Sequence, residues 1–179
     1  IRKAVGGEAA SYVHWGATTQ DIMDTANSLQ LRAVVGLFKT RIVEIARDLG
    51  ALSNRHRVTV LAGRTHGQQA LPASFGLKVA AWLAPLIRHA ERLDEISPRL
   101  LVVQFGGAAG TLAALGDKGL AVMQGLADEL GLGAPVMPWH AQRDRLAELA
   151  TVIGLLVGTL GKIARDVSLL MQSDVAEAF

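Results

Sequence analysis

Four short polar segments of the sequence hold the residue types that acid–base chemistry and carboxylate binding require. They lie between long apolar stretches and run from His14 to Asp21, Gly63 to Pro72, Gln104 to Thr111 and Pro135 to Arg143. Histidine changes its charge near neutral pH without assistance, so a histidine in such a segment is a candidate acid or base. The search for function therefore starts in these four segments.

The first segment combines a histidine and a tryptophan with the start of a helix. Thr18 precedes Asp21 by three residues, the spacing of a capping box, although Glu or Gln is the usual partner. A helix cap alone would explain this pair. The free N–H groups at a helix N-terminus also favour a bound carboxylate, which Thr19 and the upstream His14 and Trp15 would surround. Both interpretations remain open at this point.

The second and fourth segments each place a histidine among polar neighbours. His66 is either a loop histidine bonded to the backbone or an acid or base. Trp139 and His140 precede two arginines at the start of the most apolar helix, and arginine can hold a carboxylate through two parallel hydrogen bonds. For Arg143 and Arg145, ion pairs inside an oligomer are an equal alternative.

The third segment is rich in glycine. Gly106 and Gly107 would let backbone N–H groups approach an anion closely, and a flexible connection between helices is the alternative. The glycine spacing does not match a dinucleotide-binding fingerprint, and no parallel-sheet pattern surrounds it. No dinucleotide cofactor is therefore expected.

Composition argues against several other functions. The sequence has no cysteine, and no two histidines have the i, i+4 spacing of a helical metal site, so neither a disulfide nor a metal is expected. The net charge of +2 is scattered and aromatics are only 4%, which argues against nucleic acid. Neither the uncharged run between Glu148 and Lys162 nor the longer one between Arg99 and Asp117 reaches the ~20 residues of a membrane helix. The charge fits a small anionic substrate equally well, and the lack of cysteine is compatible with a cytoplasmic location, which is the expected one.

Three long segments repeat apolar residues at spacings of three and four, which predicts bundle helices rather than strands. Their seams are Leu31, Val35, Phe38, Ile42, Ile45, Leu49 and Leu52, then Phe75, Val79, Trp82, Leu86, Leu93 and Ile96, then Leu146, Leu149, Ile153, Leu156, Leu160, Ile163, Val167 and Leu170. A shorter helix is predicted from about Asp117 to Leu130, ending at Gly131 or Gly133. The predicted fold is an all-α long-helix bundle forming one domain over residues 1–179.

The third long helix is apolar on most sides and carries Gly154, Gly158 and Gly161. Glycine inside a helix costs roughly 1 kcal/mol relative to alanine, a cost that is easier to tolerate where another helix approaches closely. Since the helices of one chain cannot cover this surface, other subunits are expected to do so.

Two of the segments resemble signatures of the fumarase/aspartase superfamily. His14 to Thr25 is similar to the first signature, HxGATSQDxxDTA, and Gly63 to Gln68 is similar to the second, GRTHxQ. The resemblance covers essentially the whole chain. It implies a central domain of long helices, a homotetramer built on a shared helical core, and active sites shared between subunits.

Within the superfamily, three stretches resemble the cycloisomerase branch. They are Gln104 to Leu112 (QFGGAAGTL), Trp139 to Arg145 (WHAQRDR) and Gln69 to Pro72 (QALP). This resemblance implies cofactor-free conversion of 3-carboxy-cis,cis-muconate to 4-carboxymuconolactone in protocatechuate (β-ketoadipate) degradation. Adenylosuccinate lyases share GRTHGQ and give the alternative, a C–N lyase. A helical assembly module without activity is a third possibility.

The resemblance also assigns roles to residues of this sequence. His66 and His14 are the candidate catalytic residues. Because some cycloisomerases carry tryptophan where this chain has His66, that histidine either moves a proton or shapes the pocket. The candidate substrate-binding residues are Thr18, Thr19, Thr65, Gln68, Trp139, His140, Gln142 and Arg143.

Both ends of the chain suggest a piece of a longer protein. The sequence starts with Ile1 and ends at Phe179 inside what is expected to be a helical pattern. The superfamily's third signature, the GSSxMPxKxN loop that carries a catalytic serine, does not occur in the sequence. The chain is therefore expected to be inactive by itself.

Overall fold

The computed structural model describes residues 1–178, most of which are helical. In chain order the elements are α1 (Arg2–Val5), a 3-10 helix (Glu8–Tyr12), α2 (Thr19–Arg55), β1 (Val60–Thr65), β2 (Gln68–Ser74), α3 (Phe75–Leu100), a second 3-10 helix (Ala113–Lys118), α4 (Gly119–Leu130) and α5 (Asp144–Leu170). The predicted all-α fold of long helices is confirmed, with one small addition, the hairpin of β1 and β2.

The helix ends follow local chemistry. The Ser74 hydroxyl accepts a hydrogen bond from the N–H of Leu77 at 3.1 Å, which satisfies one of the free donors at the start of α3. Gly131 ends α4 in the left-handed conformation, with φ 60° and ψ 39°, as predicted. The expected continuation of a helix to the chain end is wrong, because α5 stops at Leu170 and residues 171–178 form turns and bends. Phe179 lies outside the described residues.

By its internal contacts the chain divides into two units, and the long helices contribute to both. The first unit comprises Ile1–Val35 and Ile96–Glu148, and the second comprises Gly36–Glu95 and the residues from Leu149 onward. The prediction of a single domain therefore stays a prediction. The core of the first unit consists of buried residues from α4 and the loops on either side of it, namely Val103, Phe105, Leu112, Met123, Ala127 and Leu132.

A polar face of α2 holds an irregular segment of the first unit in place. This face consists of Asp21, Thr25, Ser28 and Arg32, and residues 102–107 of the irregular segment are buried. A buried backbone outside regular structure needs partners for its N–H and C=O groups. Ser28 donates to the carbonyl of Val102 at 2.8 Å, and Arg32 donates to the carbonyls of Leu130 and Gly131, at the end of α4, at 2.8 and 3.1 Å. The polar face of α2 thus supplies hydrogen-bond partners to this segment, which a sheet or helix would otherwise provide.

The second unit contains the hairpin and most of α3 and α5. β1 and β2 pair antiparallel, from Val60 opposite Ser74 to Thr65 opposite Gln68, with an irregularity between Ala62 and Arg64. The core of this unit includes Leu61, Val79, Trp82 and Leu170. The predicted seam of α3 is buried, as the low exposure of Val79, Trp82, Leu86, Leu93 and Ile96 demonstrates.

Helix α5 is the one described helix that is long and apolar enough to cross a membrane by length and composition. Its 27 residues have a mean hydropathy of 1.7 over the most apolar window, of which 17% is buried. The mean hydropathy of a window can stay high when charged residues lie at its edges. The length of an uncharged run, used in the sequence analysis, ends at the first charged residue, so the two criteria differ for α5. A core helix of a bundle passes the same test, so the test alone does not separate the two environments.

Candidate functional site

Three of the four polar segments meet in the first unit. A Cβ on Gly107 would lie 2.9 Å from the carbonyl oxygen of Gly16, and one on Gly106 would lie 2.7 Å from the side chain of Pro138. A Cβ on Gly110 would lie 3.4 Å from the imidazole of His140. The glycines of the third segment therefore permit close packing between the first and fourth segments.

Asp21 is the centre of this packing. Its side chain is 1% exposed, and its carboxylate accepts four hydrogen bonds from N–H groups. Oδ1 accepts from Nε2 of Gln104 at 2.9 Å and from the N–H of Gly106 at 3.1 Å. Oδ2 accepts from the N–H groups of Gly107 at 2.9 Å and Thr18 at 3.0 Å. A buried carboxylate is tolerated when its oxygens are satisfied in this way.

This arrangement answers two questions that the sequence left open. The bond from the N–H of Thr18 to Asp21 is one half of the predicted capping box. The glycine-rich segment does bring its N–H groups to an anion, but that anion is the chain's own Asp21 carboxylate. The N–H groups of Gly106 and Gly107 are thus already engaged within the protein.

Asp24 and Arg143 form a second buried interaction. Asp24 is fully buried, and its two oxygens accept hydrogen bonds from the two terminal nitrogens of Arg143 at 2.8 and 2.9 Å. Burial acts to raise the pKa of Asp24, but hydrogen bonds from Arg143 and Gln20, with the charge of Arg143, outweigh it and leave the pKa below its ordinary value. The Arg143 guanidinium also lies 5.3 Å from the ring centre of Trp139.

Gln104 links the first and fourth segments through its side-chain amide. Besides Asp21, its Nε2 lies 3.2 Å from Nδ1 of His140, and its Oε1 accepts from the N–H of Trp139 at 2.5 Å. Its backbone N–H and C=O both bond the Thr25 hydroxyl at 2.9 Å. Trp139 is buried and donates from its indole to the carbonyl of Val103 at 2.9 Å, so it acts as a packing residue at this site.

The remaining predicted residues of the first unit lie at its surface. His14 is exposed with a positive φ of 67°, Thr18 is half-buried, and Thr19 and Gln142 are exposed. His140 is half-buried and contacts the buried Gln104. Within residues 1–178, no group of three or more His, Asp or Glu side chains is arranged to hold a metal ion.

The second segment forms a hairpin in the second unit rather than the predicted loop. His66 and Gly67 occupy its two-residue turn with φ of 51° and 72°, the backbone of a type I′ turn. The side chains of Thr65, His66 and Gln68 are exposed at this tip.

Next to the tip, Arg64 is committed to an ion pair. Its two terminal nitrogens donate to the carboxylate of Glu177, each at 2.7 Å. Arg64 is therefore engaged in the protein's own structure.

The residues that the sequence interpretation missed are those that build the site from within. Asp24, Thr25, Ser28 and Arg32 were not singled out, although Asp24 and Thr25 fall inside the first signature. A signal was present, because Asp21, Thr25, Ser28 and Arg32 recur at the period of one helix face. The same spacing also occurs on helices whose polar face lies in water. The spacing therefore indicates a buried polar face only when the segment that contacts it is known.

The first unit thus combines a buried frame of carboxylates and amides with exposed polar side chains near the start of a long helix. Comparison with known proteins makes this more specific. The chain belongs to the lyase family, whose model matches residues 2–179.

Named relatives support a narrower grouping. The chain is 54% identical over 172 residues to the 3-carboxy-cis,cis-muconate cycloisomerase of Pseudomonas aeruginosa, covering 96% of this chain and 38% of that protein. It superimposes on the 3-carboxy-cis,cis-muconate lactonizing enzyme of Pseudomonas putida with a TM-score of 0.92 at 50% identity, covering 97% of this chain and 40% of the other. It is also 44% identical to an N-acetyl-S-(2-succino)cysteine lyase of Dickeya dadantii, covering 96% and 38%. The chain thus spans about two fifths of the length of these relatives.

Proposed function

We propose that this chain is the central helical part of a cofactor-free cycloisomerase that converts 3-carboxy-cis,cis-muconate to 4-carboxymuconolactone. The observation that carries the proposal is the 54% identity, over 96% of the chain, to a protein named for this activity. The first unit also supports the proposal, because its exposed hydrogen-bond donors belong to segments that buried hydrogen bonds hold together. Fixed donors are what a polycarboxylate substrate and its transition state need.

The reaction requires one C–O bond and one C–H bond to form. A carboxylate oxygen of the substrate attacks the conjugated double bond, and the displaced electron pair moves onto a neighbouring carboxylate as an enolate-like species. A proton is then delivered to the adjacent carbon, which returns that carboxylate to its original form. The protein therefore has to hold two carboxylates, stabilise developing negative charge and supply one proton.

Exposed residues of each unit are suited to these tasks. Thr18 and Thr19, at the start of α2, are assigned to one carboxylate together with His14. Thr65 and Gln68 at the hairpin tip of a neighbouring copy are assigned to another, with His66 as the proton donor. Gln142 and His140 would line the pocket. Arg143 and Trp139 are assigned a supporting role, because Asp24 and Val103 already occupy their hydrogen-bonding groups.

The full-length protein is proposed to be a homotetramer in which neighbouring copies complete each active site. Much of the apolar surface of α5 is exposed in a single chain, including Leu155, Val157 and Leu160. A Cβ on Gly154, Gly158 or Gly161 would meet no described atom within 4 Å, so the close helix approach that these glycines predict is not made inside the chain. Another copy would supply it, and a cytoplasmic location is proposed for the assembly.

The test is an assay of the full-length protein with 3-carboxy-cis,cis-muconate, following loss of the diene absorbance. Adenylosuccinate and N-acetyl-S-(2-succino)cysteine are run in parallel. Rapid diene loss with the other two substrates intact supports the proposal. Cleavage of either alternative without diene loss would replace the cycloisomerase by a C–N or C–S lyase, and inactivity towards all three would leave an assembly module.

Site residues are tested in the same assay with Thr19→Val and His66→Gln. Each is exposed, so the fold should tolerate the change, and each is expected to lower kcat/KM by on the order of 100-fold or more. Exposed Thr111→Val is the control, since it makes the same substitution within the first unit. Unchanged kcat/KM at Thr19 or His66 removes that residue from the site.

A further inference from the structure

The hydrogen bonds around Gln104 determine which nitrogen of His140 carries the proton. Gln104 is fully buried, and its side-chain amide contacts Asp21, Trp139 and His140. An amide has one accepting oxygen and one donating NH2 group, so the chemistry of the first two contacts decides the role of the third.

The orientation of the amide is unambiguous. The backbone N–H of Trp139 can only donate, so the atom facing it at 2.5 Å must be the amide oxygen. The Asp21 carboxylate, which accepts three other N–H groups, faces the amide nitrogen at 2.9 Å. Reversing the amide would set donor against donor at Trp139 and acceptor against acceptor at Asp21. Both contacts therefore select the same orientation.

The same NH2 group faces Nδ1 of His140 at 3.2 Å. Since this group donates, Nδ1 must accept, and a neutral imidazole that accepts at Nδ1 carries its proton on Nε2. No hydrogen bond from Nε2 to another residue is recorded within the described part of the chain, and the His140 side chain is half-buried. Its N–H is thus available to a bound molecule.

We propose that Gln104 is a positioning residue that fixes His140 as an Nε2–H donor, so that His140 binds a carboxylate oxygen of the substrate and does not act as a base. A nitrogen that already carries a proton cannot accept another one in a neutral ring. The donor is held by a chain of bonds from Asp21 through Gln104, so it needs little reorganisation when substrate arrives. This role rests on the proposed function only in naming the substrate's carboxylate as the partner.

The tautomer itself can be measured without any assay. Solid-state ¹⁵N NMR of the full-length protein, labelled at its histidine nitrogens, distinguishes protonated from unprotonated ring nitrogens, and the signal lost in His140→Gln assigns the residue. The expected spectrum has Nε2 of His140 protonated and Nδ1 unprotonated. Protonation at Nδ1 in the wild-type protein would overturn the proposal, whatever the enzyme catalyses.

A variant tests the part played by Gln104. Gln104→Met removes the donor to Nδ1 while keeping similar length, and His140 is then expected to populate both tautomers. Exposed Gln30→Met is the matched control and should leave the His140 signals unchanged. A folded Gln104→Met protein with the wild-type tautomer would overturn the positioning role. If that variant does not fold, the wild-type spectrum still decides the tautomer.

Kinetics separate a donor from a base. The amide NH2 of His140→Gln can replace an Nε2–H donor, whereas His140→Leu provides none. We expect His140→Leu to raise KM on the order of 10-fold or more, and His140→Gln to stay within a few-fold of the wild-type KM and kcat. Equal loss of kcat in both variants would mean that His140 transfers a proton, which contradicts the proposal. Because the NMR result does not depend on substrate, failure of the cycloisomerase assay and failure of this inference are distinguishable.

Discussion

Asp21 and Asp24 are one helical turn apart and both buried, but they are stabilised in different ways. Asp21 is surrounded by four N–H groups and bonds no cationic side chain among the described residues. Asp24 is paired with the guanidinium of Arg143. Replacing Asp21 should therefore lower the free energy of unfolding through the loss of its N–H contacts. Replacing Asp24 should change how the free energy of unfolding depends on pH.

At Asp21 we expect a large loss of stability from a change that preserves shape. Asp21→Asn turns one accepting oxygen into an NH2 group that faces N–H donors. Unsatisfied buried donors should lower the free energy of unfolding by about 3 kcal/mol or more, measurable by urea denaturation. Exposed Asp117→Asn, also in the first unit, is the control and should change it by less than about 0.5 kcal/mol. A loss at Asp21 no larger than that of the control would contradict this account of the carboxylate.

At Asp24 we expect a stability that depends on pH. The pKa of Asp24 is lower in the folded chain than its ordinary value of about 3.9, so its ion pair stabilises the fold above that pH. The contribution is lost as pH falls through the depressed pKa. The stability difference between wild type and Asp24→Asn should be constant near neutral pH and shrink below about pH 4. A difference that stays constant down to pH 2, or one equally reproduced by exposed Asp48→Asn, would show that Asp24 is not the group responsible.

Among the elements, the hairpin turn offers a test of backbone conformation free of packing effects. A Cβ would meet nothing within 4 Å at Gly67 or at Gly125, but only Gly67 has a positive φ, of 72°. Gly67→Ala should lower the thermal midpoint, since a left-handed alanine costs about 1 kcal/mol. Gly125→Ala lies inside α4 and should raise it, because alanine is the better helix former by about 1 kcal/mol. Two shifts of the same sign would contradict the assigned conformation of the turn.

The elements also show how far sequence reasoning reaches. The long helices and the end of α4 at Gly131 were predictable because apolar periodicity and a glycine cap are local signals. The hairpin was missed because Gly63, His66 and Gly67 suggested a loop, while its strands are short and mostly exposed. The polar face of α2 was missed for another reason. Its buried state depends on residues about 80 positions away, such as Gln104, and no local pattern reveals that distance.

For the whole molecule, the proposed assembly makes a prediction about the groove along α5. In the second unit a groove of about 430 Å³ is lined by Trp82, Pro85, Gly154, Gly158 and other residues of α3 and α5. Gly158→Arg should leave one chain folded, because its Cβ meets nothing within 4 Å, but it should block a second helix. Light scattering after size exclusion should then show a smaller particle than the wild-type protein, which is proposed to be a tetramer.

The control for this experiment is the same substitution on an exposed glycine of α4. Gly125→Arg also has open space around its Cβ and lies in the first unit, whereas the groove is lined by residues of the second. It should keep the wild-type mass. A wild-type mass for Gly158→Arg would mean that no helix occupies the groove in solution.

The long-range hydrogen bonds of the first unit also determine the order in which its parts can assemble during synthesis. Asp24 cannot meet Arg143 until 119 further residues have been synthesised, which takes roughly 6 to 24 seconds at the usual 5 to 20 residues per second. During that interval α2 can form as a local helix, but the polar residues of its inner face have only water as a partner. The glycine-rich segment emerges first and the Trp139 segment last, so the frame that holds His140 is among the final parts of this unit to assemble on the ribosome.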